Sequence, residues 1–344
     1  MSQVEPPTGT SSVVGRIALA TVVALGFAGA IVYAATRDGG EGKPTARSTD
    51  SWGSLAPSPL ERTEVGAARI GDRIYVVGGF DPVEGTTGAM ARYDISADQW
   101  AEVTPLPIAV NHAGMAALKD RLYVYGGNLG GTERKSDRLY RYDPRRDGWK
   151  RLADAPSERG AMGLVAIGRK LYAVGGYTVE DQTVRELAIY DVRRDRWRAG
   201  PDLPTGRNHV GAAALNGRLI VTGGRPGDVN GGLATVESYD PRKRRWSALP
   251  PLATARSGHA AIAARGRLIV FGGEELGAGG STIPQVEAYN PRSRSWSSLP
   301  EMITPRHGLG GAQMKGRIYA VEGGPRPGLA YSGALEFLDV GSSG

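Results

Sequence analysis

Six short, strand-like apolar runs punctuate the chain, and each runs into glycine. They are Arg73–Val77 (RIYVV), Arg121–Tyr125 (RLYVY), Lys170–Val174 (KLYAV), Arg218–Thr222 (RLIVT), Arg267–Phe271 (RLIVF) and Arg317–Val321 (RIYAV). The glycine pairs that end them are Gly78-Gly79, Gly126-Gly127, Gly175-Gly176, Gly223-Gly224, Gly272-Gly273 and Gly323-Gly324. Their spacing stays between 48 and 51 residues, the mark of a repeat architecture. Other patterns keep the same phase. A small-residue run such as HVGAAAL precedes each apolar run, and a segment of the VESYD type follows it. All six tryptophans fall one per repeat, at Trp52, Trp100, Trp149, Trp197, Trp246 and Trp296. A tyrosine stands seven residues before five of them: Tyr93, Tyr142, Tyr190, Tyr239 and Tyr289. Each repeat therefore reads as four strands, a to d. The glycines let the chain take positive φ and turn sharply out of strand b. Tyr and Trp supply large surfaces for packing one thin sheet on the next.

The combination of Gly-Gly, Tyr and Trp resembles the kelch repeat. The resemblance covers residues 51–340, and six phased copies make it specific. It implies an all-β fold, a six-bladed β-propeller with one four-stranded blade per repeat. The first repeat element is strand d, at Trp52. The last repeat stops after strand c, at LEFLD. The N-terminal strand is therefore expected to complete the last blade, closing the ring and removing a free sheet edge.

The segment before the propeller changes character. Residues 1–16 read as a disordered polar tail. Residues 17–36 are expected to form one transmembrane helix or signal-anchor, since Ile17–Ala35 is apolar apart from Thr21 and spans roughly 29 Å as a helix. A cleaved signal peptide, with Val32-Tyr33-Ala34 at the cleavage site, is the other reading. Residues 37–50 are a flexible linker rich in glycine and charge, and 51–344 form the propeller. The positive residues Arg37, Lys43 and Arg47 after the helix argue for a cytoplasmic propeller. The common pattern of a short N-terminal tail followed by an exported domain argues against it. We expect a single-pass protein of the cell membrane with an extracytoplasmic propeller.

The net charge is +7 and there is no cysteine. That excludes disulfides, a thiol nucleophile and a lipidated cysteine. It also excludes the chemistry of the copper radical oxidases that share the kelch fold, whose cofactor needs a cysteine cross-linked to tyrosine. The positive charge gathers in the a–b and c–d turns, Arg242–Arg245 above all, and the rest of the chain is net acidic. This basic side suits anionic lipid, with simple solvation as the alternative. No nucleic-acid partner is expected.

The b–c loops are long and varied, and loops of that kind on a rigid scaffold commonly carry binding. They share one side of the ring with the d–a loops. Five d–a loops end in arginine, Arg62, Arg159, Arg207, Arg256 and Arg306, with Val110 in the remaining place. One reading is a cationic ring at the channel mouth, suited to a carboxylate or phosphate. The other follows from the kelch resemblance and makes them braces between blades. The four histidines, His112, His209, His259 and His307, sit at or near the start of strand a. Asn111-His112 and Asn208-His209 share one register. The histidines lack the local spacing of a metal motif, so no metal and no cofactor are expected. Together, Arg62, Arg159, Arg207, Arg256, Arg306, Asn111, His112, Asn208, His209 and His307 are the candidate ligand-binding set. Glu322 breaks the pattern of strand b by one residue and reads as a β-bulge, either a general base or a neutral insertion.

Two functions fit. The first is a membrane-tethered interaction module presenting its d–a and b–c loops to a protein or glycan. The second is a sugar-active enzyme, because exported bacterial kelch propellers that the chain resembles include sialic acid mutarotases. No catalytic motif is matched residue by residue.

Overall fold

The computed structural model describes residues 51–131, 134–179, 182–227, 231–277 and 279–341. The tail, the apolar segment 17–36 and the linker 37–50 lie outside the described residues. Among the described residues no helix is long and apolar enough to cross a membrane.

Among the described residues the chain forms six antiparallel four-stranded sheets, with three two-stranded ribbons in the b–c loops. Blade 1 consists of Gly66–Ile70, Arg73–Val77, Met90–Asp94 and Gln99–Val103, strands a to d. Blades 2 to 5 repeat this over 114–151, 163–199, 211–249 and 260–299. Blade 6 has Gly310–Met314, Arg317–Val321 and Leu335–Asp339, and takes its strand d from Gly53–Ser54. Gly53 stands opposite Phe337 and Ser54 opposite Glu336. The chain closes its ring as its sequence predicts.

The apolar core is divided among the six blade interfaces. Tyr75 and Val77 of blade 1, for example, pack with Leu122, Val124 and Tyr142 of blade 2. Strand b is buried at every residue after its first in all six blades. This is why its runs are continuously apolar instead of alternating. The tryptophans stitch the ring. Each indole lies 5.0–5.2 Å from the tyrosine of its own blade in blades 1 to 5. Each indole N–H also donates to a carbonyl of the preceding blade: Trp100 to Ala56, Trp149 to Thr104, Trp197 to Ala153, Trp246 to Pro201 and Trp296 to Pro250. Trp52 makes the same bond to Pro300 at 2.8 Å, so it sews the closing seam.

The glycine pairs are forced by a close approach. A Cβ on Gly78, at φ +67°, would stand 2.5 Å from the Val110 carbonyl of the next d–a loop. The same crowding recurs at Gly175 against Arg207 O. Blade 6 departs here, and the expected bulge is corrected. Strand b of blade 6 has the usual five residues. Glu322, at φ +53°, takes the place of the first glycine, and Gly323 that of the second. The backbone bonds prove the register: Gly323 N donates to Arg62 O at 2.8 Å, as Gly79 N does to Val110 O. Gly324 then falls where the other blades begin their b–c loops. A Cβ there would lie 2.5 Å from His307 Nε2, so this glycine makes room for the imidazole.

Candidate functional site

Bridges between each d–a loop and the b–c loop of the same blade, such as Thr63 with Phe80 and Asn208 with Arg225, place both loop sets on one side. There the chain forms a ring of backbone hydrogen bonds around the axis. His112 N donates to Glu64 O, Ala161 N to His112 O and His209 N to Ala161 O. Gly258 N donates to His209 O, Gly308 N to Gly258 O and Val65 N to Gly308 O. All six ring residues, Glu64, His112, Ala161, His209, Gly258 and Gly308, have left-handed φ between 51° and 64°. That geometry suits glycine. For Glu64, His112 and His209 it is strain on the order of 1–3 kcal/mol each, which concentrates at functional sites. The ring surrounds a cavity of about 130 Å3.

Three positional sets meet around this mouth, and the first, with the residues just after it, lines the cavity itself. The ring residues form one. The residues just before them form the second, including Asn111, Asn208 and His307. The third opens the b–c loops and includes Asn128, Tyr177, Arg225 and Glu274. His112 Nε2 lies 3.3 Å from Glu64 Oε2, and His307 Nδ1 lies 3.3 Å from Glu64 Oε1 and 3.5 Å from Glu274 Oε2. Arg225 donates to His209 Nε2 at 3.0 Å and pairs with Glu274 at 3.3 Å. The His112 and His209 rings meet edge to face at 4.8 Å, and Tyr177 stacks on His209 at 5.9 Å.

The electrostatics separate these groups. Burial pushes the Glu64 carboxyl up, but His112, His307 and His209 outweigh it and hold it far below the usual carboxylate range. Burial lowers His112 against the pull of Glu64. Burial, with Arg225 beside it, holds His209 well below an ordinary imidazole. Burial opposes protonation of His307 too, yet Glu64 and Glu274 raise it. Glu274 itself is raised, chiefly by burial. One mouth therefore holds a carboxyl and two imidazoles pushed down beside a histidine and a second carboxyl pushed up. Pairs pushed apart in this way can accept and donate protons.

Of the residues singled out in the sequence, Asn111, His112, Asn208, His209 and His307 converge here. His259, one residue past the ring position, also lines the cavity, buried, with Nε2 2.9 Å from Thr222 Oγ1. The arginines are a correction. Arg62, Arg159, Arg207, Arg256 and Arg306 are all 0% exposed, so none offers its charge to the channel mouth. Arg256 donates to Gly272 O and Gln285 O at 2.9 Å and to Glu287 at 2.8 Å. Arg306 does the same to Glu322 O, Ala334 O and Glu336. Arg159 and Arg207 pair with Glu186 and Glu237. Arg62, Arg159, Arg256 and Arg306 each tie the end of strand b to the start of strand c inside their own blade, while Arg207 reaches Val221 O alone, and a carboxylate pairs with each of the five. Blade 1 has Ala91 where blades 4 to 6 place that glutamate. Arg62 is instead held at 2.9 Å by both oxygens of Glu322, which reaches across the closing seam and also accepts from Ser58. Burial raises the Glu322 carboxyl while Arg62 opposes it. Fully buried and doubly engaged, it is a structural partner, and the general-base reading falls.

Glu64, Glu274 and Arg225 escaped the sequence reading. The signal for Glu64 was its place two residues after Arg62, matching His209 after Arg207. Arg225 and Glu274 each directly follow a Gly-Gly pair.

The family profile of the Attractin/LZTR1 β-propeller matches residues 74–324, blade 1 through blade 6. The chain belongs to the Attractin/LZTR1 β-propeller family. A solved structure of YjhT aligns with this family member at a TM-score of 0.70, covering 82% of this chain and 96% of that one. Sequence identity is 16%, so the likeness is one of fold. The search of curated proteins returned no match. The channel-mouth groups of this Attractin/LZTR1-type propeller are therefore read from its own geometry.

Proposed function

We propose that this propeller is a binding protein whose channel mouth, framed by the b–c loops, takes a polar glycan end or a small sugar acid. The observation that carries the reading is the trio Glu64, His112 and His209, held in strained left-handed backbone with their polar atoms turned to one cavity. The five arginines are fully buried inside their blades, which leaves the trio, and not a cationic ring, to face the cavity. Arg225 and Tyr177 add a cation and an aromatic face, both apt for a sugar carboxylate and ring. The alternative, a sugar-active enzyme similar to the sialic acid mutarotases, is favoured by the acid–base separation between Glu64, His209 and His307. A proton NMR experiment addresses both readings. Saturation transfer to glycans or sialic acid should appear with the full chain and fall at least about tenfold in affinity in His209→Ala, the loss of one charge-assisted contact. Accelerated interconversion of anomers would mark the enzyme. Absence of both effects sinks the site.

We also propose that residues 17–36 anchor the protein in the cell membrane with the propeller extracytoplasmic, and that the exposed Arg242–Arg245 turn adds contact with anionic lipid. The full chain should stay in the membrane pellet after an alkaline wash, and deletion of residues 17–36 should release it. If the released chain then sediments with anionic vesicles, that binding should weaken with salt. Release of the intact chain by the wash would count against the anchor.

A further inference from the structure

Two acceptors face one another at the channel mouth. Asn111 Nδ2 donates to Thr86 Oγ1 at 2.7 Å and to Gly130 O at 3.1 Å, which fixes the orientation of its amide. Its Oδ1 stands 2.6 Å from His112 Nδ1 and can only accept, so Nδ1 carries the ring hydrogen. Blade 4 repeats the device. Asn208 Nδ2 donates to Thr183 Oγ1 at 2.7 Å and to Gly227 O at 3.2 Å, and its Oδ1 accepts from His209 Nδ1 at 2.6 Å. Both imidazoles thus have Nδ1 as donor and direct Nε2 elsewhere. For His112 that direction is Glu64 Oε2, 3.3 Å away. A neutral imidazole Nε2 and a carboxylate are both acceptors, and such a contact is favourable only with a cation between them. A proton is one such cation and a metal ion is the other.

Three features favour the metal. One donor atom from each of Glu64, His112 and His209 lies within 4.8 Å of the others. Ligands at about 2.0–2.2 Å from one zinc ion stand roughly 3.3 Å apart, as His112 and Glu64 already do. The Asn carbonyls that hold Nδ1 are the outer partners that metal-bound histidines require.

We propose that Glu64, His112 and His209 form a two-histidine, one-carboxylate site for a divalent transition-metal ion, with zinc the best match to the donor set. Three protein ligands leave a further coordination position for water or a ligand oxygen in the cavity. Asn111 and Asn208 are positioning residues. Arg225 is the gate: its Nη2 covers His209 Nε2, and it must swing toward its second partner, Glu274, before the ion enters. The proposal uses the same trio as the glycan reading, and the two fail separately because the ion is measured alone.

Calorimetric titration of the full chain with zinc chloride should show one equivalent bound, and cobalt(II) should give a visible spectrum of nitrogen and oxygen ligation. His112→Ala, His209→Ala and Glu64→Gln should each lower the affinity by more than about tenfold, and Asn111→Ala by about 10–100-fold. Arg225→Ala removes a competing cation and should tighten zinc binding by about tenfold or more. That gain cannot arise from misfolding. No binding to the native chain, or binding undiminished in His112→Ala and His209→Ala, overturns the proposal. So does an NMR spectrum in which His112 is an imidazolium that excess zinc leaves unchanged, since the pair is then a plain His112–Glu64 ion pair.

Discussion

Replacing Arg256 with alanine is expected to lower stability by about 3–5 kcal/mol. The guanidinium is fully buried and donates to two carbonyls and to Glu287. Without it, Gly272 O and Gln285 O lose a donor in the interior, and Glu287 keeps a buried charge with no cation. Glu287 also accepts from the Ala253 and Thr254 amides at 2.7 and 3.2 Å, and these contacts to the d–a loop do not neutralise its charge. The double variant Arg256→Ala, Glu287→Gln should regain part of the loss, because the orphaned charge is then gone while an acceptor for the d–a loop amides remains. Denaturant unfolding of the two variants measures this. A single variant within about 1 kcal/mol of the native chain would contradict the brace and return the arginines to a ligand role.

Deleting residues 50–56 should be comparably severe. Trp52 is 6% exposed and packs on Phe271 at 5.8 Å. Losing a buried tryptophan alone costs about 3–5 kcal/mol. The deletion also strips strand c of blade 6 of its partner, leaving Leu335–Asp339 as an open edge. The shortened protein is expected to melt several degrees lower and to self-associate in size-exclusion chromatography. A monomer with the native melting temperature would show that the ring holds without its seam.

The seam carries a second device that matters for such experiments. Glu322 joins blades 6 and 1 through Arg62, while Trp52 joins blades 5 and 6 through Pro300. Removing the closing strand leaves the Glu322–Arg62 pair in place but takes Trp52 away. The two contacts can therefore be tested separately.

The sequence by itself determined the blades. Gly-Gly, Tyr and Trp recur because each blade repeats the same crowding: a carbonyl against the glycine, an indole against the tyrosine, an N–H to the previous blade. Such local needs leave a periodic trace in one dimension. The offset between Trp52 at the start and LEFLD at the end likewise disclosed how the ring closes. The choice between brace and cationic ring for the arginines was not legible. A charged residue at a loop end looks the same whether it faces solvent or bridges two buried carbonyls, and only the folded blade decides that. The register of Glu322 was misread for a similar reason: residue counting cannot tell an added residue from a glycine replaced, while the Gly323–Arg62 bond can. Five channel-mouth residues were legible as equivalent positions of the repeat, but their pairing with Glu64, Arg225 and Glu274 belonged to the tertiary structure. Glu64, His112 and His209 are separated by 48 and 97 residues, and no local spacing links them. They meet because a closed ring brings equivalent positions of different blades to one axis, and because left-handed backbone at those positions turns their side chains into the same cavity.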